Sequence, residues 1–222
     1  MHSSFDKLLK KYVKGNGVKY SSWSKSRSDK ETLNNYIESL SRAKPSSMSR
    51  SKSQAFYINL YNAVTIKLIL DHYPVKSIKK IGGVFGSPWK MKLVKVEGKE
   101  LTLNDIEHGI IRPRYSDARV HFALNCASVS CPPLMSEAYT GNNVEKLLTR
   151  ATTSALKKGL WLKEKGNTLY VTKLFDWYRK DFENNNGSVA AFIVKYRPEL
   201  EGRIEKKDIK FMSYNWNLNE AR

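Results

Sequence analysis

The chain is short of cysteine, short of acid relative to base, and has no apolar run long enough to span a bilayer. Its two cysteines, Cys126 and Cys131, exclude a disulfide-dense scaffold. They leave three arrangements open: a short-loop disulfide, two free thiols, or a reactive thiol with a neighbour. The densest apolar stretch, Ala55 to Leu70, is interrupted by Asn59, Asn62 and Lys67 and falls short of the roughly 20 residues of a membrane helix, so no transmembrane segment is expected. The start, Met1-His2-Ser3-Ser4, lacks the charged and apolar regions of a signal peptide. The chain is therefore expected to be either cytoplasmic or a mature portion whose leader is absent.

What is abundant is positive charge. Against 21 Asp and Glu stand 39 Lys and Arg, a formal charge of +18, which favours an anionic polymer or surface as partner. The charge is scattered in distant pairs such as Lys79-Lys80, Lys157-Lys158 and Lys206-Lys207. No zinc-finger spacing or Gly-aromatic RNA-binding signature accompanies it, so no specific nucleic-acid motif is read. With 41% hydrophobic residues in 222 and no break in composition, one core and one domain over 1–222 are expected.

Periodicity and turn residues predict helices over Phe5 to Val13 and Lys30 to Leu40, joined by Gly15-Asn16-Gly17 and a Ser/Lys-rich loop. Pro45 to Ser53 reads as a loop. From Gln54 to Tyr73 apolar residues occupy every side of the helical projection, which predicts a central buried helix closed before Pro74. Trp89 to Val96 reads as a strand ending at Glu97-Gly98, after the loop Gly82-Gly83-Val84-Phe85-Gly86. That loop lacks the Lys-Ser/Thr of a phosphate-binding turn. Thr102 and Asp105 have capping-box spacing, and Leu101 and Ile106 that of a hydrophobic staple, at the head of a helix Leu103 to Ile111. Val120 to Leu124 reads as a buried strand and Val144 to Ala155 as a helix. Leu160–Leu162 and Leu169–Val171 read as a hairpin across Gly166-Asn167. Helices Leu174 to Phe182 and Ser188 to Tyr196 follow, the latter capped by Ser188. The fold class expected is α+β, a central helix with several surrounding helices and a small, mainly antiparallel sheet, of cysteine-protease or transglutaminase-like kind.

Candidate chemistry gathers in two places. On the helix Leu103 to Ile111, Glu107 projects among Leu103, Ile106 and Ile110, where a carboxylate needs a hydrogen bond or a cation such as Arg112. His108 lies on the flank. In the stretch Val120 to Cys126, a straight strand would hold His121 and Cys126 on opposite faces, roughly 16 Å apart. A pair between them requires a turn near Asn125; otherwise His108 supplies the imidazole. Asn59 and Asn62 share one face of the buried helix, where their amides either tie down loop backbone or line a site.

The runs Ala55-Phe56-Tyr57-Ile58-Asn59-Leu60-Tyr61-Asn62-Ala63, Asp105-Ile106-Glu107-His108-Gly109-Ile110 and His121-Phe122-Ala123-Leu124-Asn125-Cys126-Ala127-Ser128 through Cys131-Pro132-Pro133-Leu134 resemble successive blocks of the domain of unknown function 547 family. Phe175-Asp176-Trp177-Tyr178 with Asp181-Phe182, and Tyr214-Asn215-Trp216-Asn217-Leu218-Asn219, resemble its C-terminal blocks. The likeness runs from about Phe5 to Asn219, and one departure is Asn215, where the family pattern has Asp. The resemblance implies no established reaction. It does imply that bacterial relatives are often exported, hence a periplasmic or otherwise exported location.

Four functions fit these residues. The first is a thiol-dependent hydrolase or acyl transferase, with Cys126 as nucleophile, His121 or His108 as base and Glu107 orienting the imidazole; backbone amides after Cys126, or Asn59, would serve as oxyanion donors. The second is a binding or structural module with a buried Glu-His-Asn network and a basic surface. A metal site from His108, His121, Cys126 and Cys131 lacks the usual zinc spacing, and a redox disulfide lacks Cys-x-x-Cys, so no metal or cofactor is expected.

Overall fold

The computed structural model describes residues 1–83, 86–157 and 159–221. Val84 and Phe85 of the glycine-bearing loop, and Lys158 of one lysine pair, lie outside the described residues. The chain opens with α1 (Ser3–Tyr12), a two-residue hairpin β1 (Val13–Lys14) and β2 (Gly17–Val18), then α2 (Tyr20–Lys25) and α3 (Arg27–Ser41). α2 occupies the stretch read as a Ser/Lys-rich loop. Tyr20 and Trp23, both fully buried, give that short polar segment the apolar face that holds it helical. α4 (Arg50–Asp71) follows a single 3-10 turn at Pro45–Ser47, so helix replaces the second half of the expected loop.

α4 is the axis of the molecule. Seventeen of its residues are buried, on all sides, and it packs against α2, α3, α6 and the segment that carries Glu107. A helix apolar all round can be accommodated only inside other helices. The next stretch forms a 3-10 turn at Pro88–Lys90, and the strand read over Trp89 to Val96 shrinks to β3 (Val94–Val96), paired antiparallel with β4 (Lys99–Leu101). Pro88 at the start of that turn takes the backbone out of the extended region.

The capping box forms as its spacing predicts. Thr102 Oγ1 accepts from the Asp105 amide at 3.0 Å, and Asp105 Oδ2 accepts from the Thr102 amide at 2.9 Å. The helix it starts is not a regular α-helix, however. Over Asp105–Ile111 it is a π-helix, whose last bond runs from the Arg112 amide to the Glu107 carbonyl, and it returns to α geometry only in α5 (Arg112–Tyr115). Wide turns of this kind are rare and concentrate at functional sites.

The expected strand Val120 to Leu124 is instead a 3-10 helix, Ala118–Phe122, capped by the Asp117 carboxylate on the Arg119 amide. A short apolar run fits a strand or a buried helical turn equally well, and the Asp117 cap decides for the turn. After α6 (Val144–Lys157) come β5 (Leu162–Lys165) and β6 (Thr168–Val171), the hairpin across Gly166-Asn167. The helix read over Leu174 to Phe182 is broken at Tyr178 into α7 (Leu174–Trp177) and α8 (Arg179–Asn184). α9 (Val189–Tyr196) is capped by Ser188, whose hydroxyl accepts from the Ala191 amide. β7 (Asp208–Phe211) then joins β6 in parallel, so the largest sheet is mixed rather than wholly antiparallel.

The architecture is α+β, with one apolar cluster around α4 and a second around Phe122, α6, the β5–β7 sheet and α9. Met135 packs against both. Residues 212–221 finally run back as a strap over the first cluster. The amides of Val129 and Ser130 donate to the carbonyls of Asn217 and Asn215, and the Asn219 amide donates to Ala127.

Candidate functional site

Where the two clusters meet lies a cavity of about 310 Å³, with Glu107, His108, His121, Cys126 and Cys131 among its walls. Its mouth is aromatic: Trp89, Trp177, Tyr214 and Trp216 line it, and Trp177 is 44% exposed.

Glu107 is buried, and the Tyr178 hydroxyl donates to its Oε1 at 2.7 Å. That bond satisfies a carboxylate that would otherwise be stranded among Ile106 and Ile111. Its expected role as the group orienting an imidazole is not what the geometry provides. That place is taken by Asp181, whose Oδ2 lies 2.8 Å from His121 Nε2. A carboxylate accepts, so Nε2 donates, and in the neutral ring Nδ1 carries the lone pair. Arg112 grips the same carboxylate through Nε at 2.6 Å and an Nη at 2.9 Å. Burial alone would raise the Asp181 pKa, but the hydrogen bonds from His121 and Arg112 outweigh it and hold the carboxyl well below the usual carboxylate range. The His121 ring stacks on Tyr178 with centroids 3.8 Å apart. Tyr178 thus touches both Glu107 and His121, and burial raises its own hydroxyl pKa.

His108 stands exposed on the π-helix, its Nδ1 2.9 Å from an Arg112 guanidinium nitrogen. Because guanidinium only donates, Nδ1 is the acceptor and any ring proton sits on Nε2.

The 3-10 turn removes the strand geometry that would have separated His121 from Cys126, and both line the cavity. Cys126 is half-buried; its Sγ lies 3.2 Å from Ser128 Oγ and 3.2 Å from the Tyr214 hydroxyl, which also receives the Ser128 hydroxyl at 3.0 Å. Among the described residues no imidazole is hydrogen-bonded to this sulfur. Hydrogen bonding from the Cys131 thiol, together with Ser128 and Tyr214, overrides burial and lowers the Cys126 pKa to about 7. Cys131 is pushed the other way, chiefly by burial. Both are free thiols.

The three asparagines part company. Asn62 donates to the Ala123 carbonyl at 3.0 Å and accepts from the Asn125 amide at 2.9 Å, clamping the backbone that leads into Cys126. Asn125 continues the brace: its side chain accepts from the Ala127 amide and donates to the Pro132 carbonyl, closing both ends of the Cys126–Cys131 loop. That brace holds Ala127 at φ +58°, a left-handed conformation costly for a residue with a Cβ. Asn59, by contrast, closes the same pair of bonds on the Tyr139 backbone and is not at the site. It is therefore not free to serve as an oxyanion donor, nor are the amides of Ala127, Val129 and Ser130, which are held by Asn125, Asn217 and Asn215.

Tyr178, Asp181, Tyr214 and Ser128 escaped reading from pattern and spacing. Their one signal was the resemblance, whose C-terminal blocks contain the first three and whose His121 to Ser128 block contains the last. Among the described residues no group of three or more His, Cys, Asp or Glu is placed to hold a metal ion, and no helix is long and apolar enough to cross a membrane.

No curated protein and no solved structure matches the chain. A family model does match, over residues 45–154, and this segment holds Asn59, Asn62, Glu107, His108, His121, Asn125, Cys126 and Cys131 but not Tyr178, Asp181 or Tyr214. Over that segment the chain belongs to the family described as Protein of unknown function, DUF547.

Proposed function

We propose that Cys126 is the nucleophile of a thiol-dependent hydrolase or acyl transferase. The observation that carries this reading is that Cys126, with the Tyr214 hydroxyl 3.2 Å from its Sγ, lies on the wall of a cavity it shares with His121, His108 and Glu107. A thiolate available near neutral pH attacks an acyl carbon, forming a C–S bond. His121 is the base: Asp181 fixes Nε2 as donor and leaves the Nδ1 lone pair to take the thiol proton and return it to the leaving group. Water, or a second nucleophile, then breaks the C–S bond. With the amides of Ala127, Val129 and Ser130 engaged, the Tyr214 hydroxyl is a donor beside the sulfur that can meet an oxyanion. The test is iodoacetamide labelling at neutral pH followed by an ester and thioester panel. Cys126 should label ahead of Cys131, and turnover should vanish in Cys126→Ala while surviving Cys131→Ser. An inert Cys126 would discard the mechanism.

One observation favours a second reading, a non-enzymatic binding module: the Cys126 sulfur meets two hydroxyls, and Asp181 and Glu107 are both already engaged by protein partners. On this reading the basic surface docks an anionic polymer or surface. Salt-sensitive retention on such a polymer, together with an unreactive thiol, would mark it.

A further inference from the structure

Cys131 has no part in that reading, yet it is held against Cys126 more closely than loop shape requires. The Cys126 amide donates to the Cys131 Sγ at 3.0 Å. The Cys131 thiol also points at the Leu124 carbonyl, 3.5 Å away, so it is held on the backbone that enters Cys126. The loop between them is folded back on itself: Ala127 takes its left-handed turn, the Cys131 amide donates to the Ser128 carbonyl at 3.0 Å, and Asn125 ties the Ala127 end to Pro132. Both cysteines line the cavity, which is large enough for a small oxidant.

We infer that the Cys126–Cys131 pair is a reversible oxidation site for hydroperoxides, in which Cys126 is the sulfur oxidised first and Cys131 the thiol that resolves it. In the first step the Cys126 thiolate attacks one oxygen of the hydroperoxide. An S–O bond forms, the O–O bond breaks, and the departing hydroxide or alkoxide takes a proton from water. In the second, the Cys131 sulfur attacks the sulfenic sulfur of Cys126. The S–S bond forms, the S–O bond breaks, and the hydroxyl leaves with the Cys131 proton as water. The two thiols lose two electrons and the peroxide gains them; an external dithiol returns them by exchange. The asymmetry of the pair suits this order, since Tyr214, which accepts from Ser128, presents its own hydroxyl proton to the Cys126 sulfur while Cys131 is buried. The Cys131 thiol keeps a proton to give, its pKa raised by burial. Nothing in this chemistry depends on which bond Cys126 acts upon, or on whether it acts on one at all.

Titration of the full chain with hydrogen peroxide, followed by thiol alkylation and peptide mass spectrometry, tests it. The wild-type chain should lose both alkylatable thiols together, end two hydrogens lighter, remain monomeric on a non-reducing gel, and recover both thiols with dithiothreitol. In Cys131→Ser, and in Cys131→Ala as a check against misfolding, Cys126 should gain two or three oxygens and not recover. In Cys126→Ser, Cys131 should ignore peroxide. The inference is overturned if wild-type Cys126 accumulates oxygens while Cys131 stays alkylatable, if the disulfide formed joins two chains, or if neither thiol reacts with excess peroxide.

Discussion

His121 Nε2 and Asp181 Oδ2 lie 2.8 Å apart although 60 residues separate them in the chain, and Arg112 holds the same carboxylate from its other side. Asp181 is therefore expected to orient the imidazole. Asp181→Asn should lower turnover under the hydrolase reading more than it lowers Cys126 alkylation, because the thiol's own donors are untouched. The carboxyl pKa is depressed in the fold, so its stabilisation is complete above the unfolded value of about 4 and is lost as pH falls through the lower folded value. The gap in urea midpoint between wild type and Asp181→Asn should narrow from about pH 5 to about pH 3. A gap that stays constant would show that the ion cluster contributes nothing through this linkage.

Asn59 and Asn62 offer a matched pair of substitutions. Each amide closes two backbone bonds in the interior, so replacing either by Ala should cost about 1–3 kcal/mol per group left unpaired. Only Asn62→Ala should also slow alkylation of Cys126, since Asn62 braces Ala123 and Asn125 while Asn59 braces Tyr139. Equal effects of the two on labelling would remove Asn62 from the thiol's support.

The Tyr178–Glu107 bond is expected to matter through burial. Glu107→Ala strands the Tyr178 hydroxyl and should cost about 1–3 kcal/mol in chemical denaturation, whereas Glu107→Gln keeps an acceptor and should cost less. Tyr178→Phe leaves the carboxylate as the orphan and should be worse than Glu107→Gln. The ranking is the test: if all three match wild type, solvent already satisfies both groups.

Iodoacetamide alkylation of Cys126 should rise with pH about a midpoint near 7, with Cys131 silent over the same range. Tyr214→Phe removes one of the donors that stabilise the thiolate and should move the midpoint upward. A midpoint indistinguishable from that of an ordinary thiol, near 8.5, would mean that the hydroxyls do not acidify the sulfur.

What local sequence determined was every feature whose energetics are local. The capping box at Thr102 and Asp105, the Ser188 cap and the hairpin across Gly166-Asn167 each depend on groups a few residues apart, and each forms where spacing places it. α4 was legible for a different local reason: a segment apolar on every side has only one place to go. The blocks around Glu107, His121 and Cys126 line one cavity.

Tertiary structure decided the rest, because it supplied partners from far along the chain. Ala118–Phe122 became a 3-10 turn rather than a strand where the second apolar cluster met it. Asn59 and Asn62, neighbours on one helix face, were sent to different loops by whichever unpaired backbone lay within reach. Asp181 displaced Glu107 as the imidazole's partner, and the strap at 212–221 delivered Tyr214 to the thiol. None of these pairings has a period or a spacing. Each follows from the requirement that a polar group removed from water find its bond in whatever segment the packing of the apolar core has brought beside it.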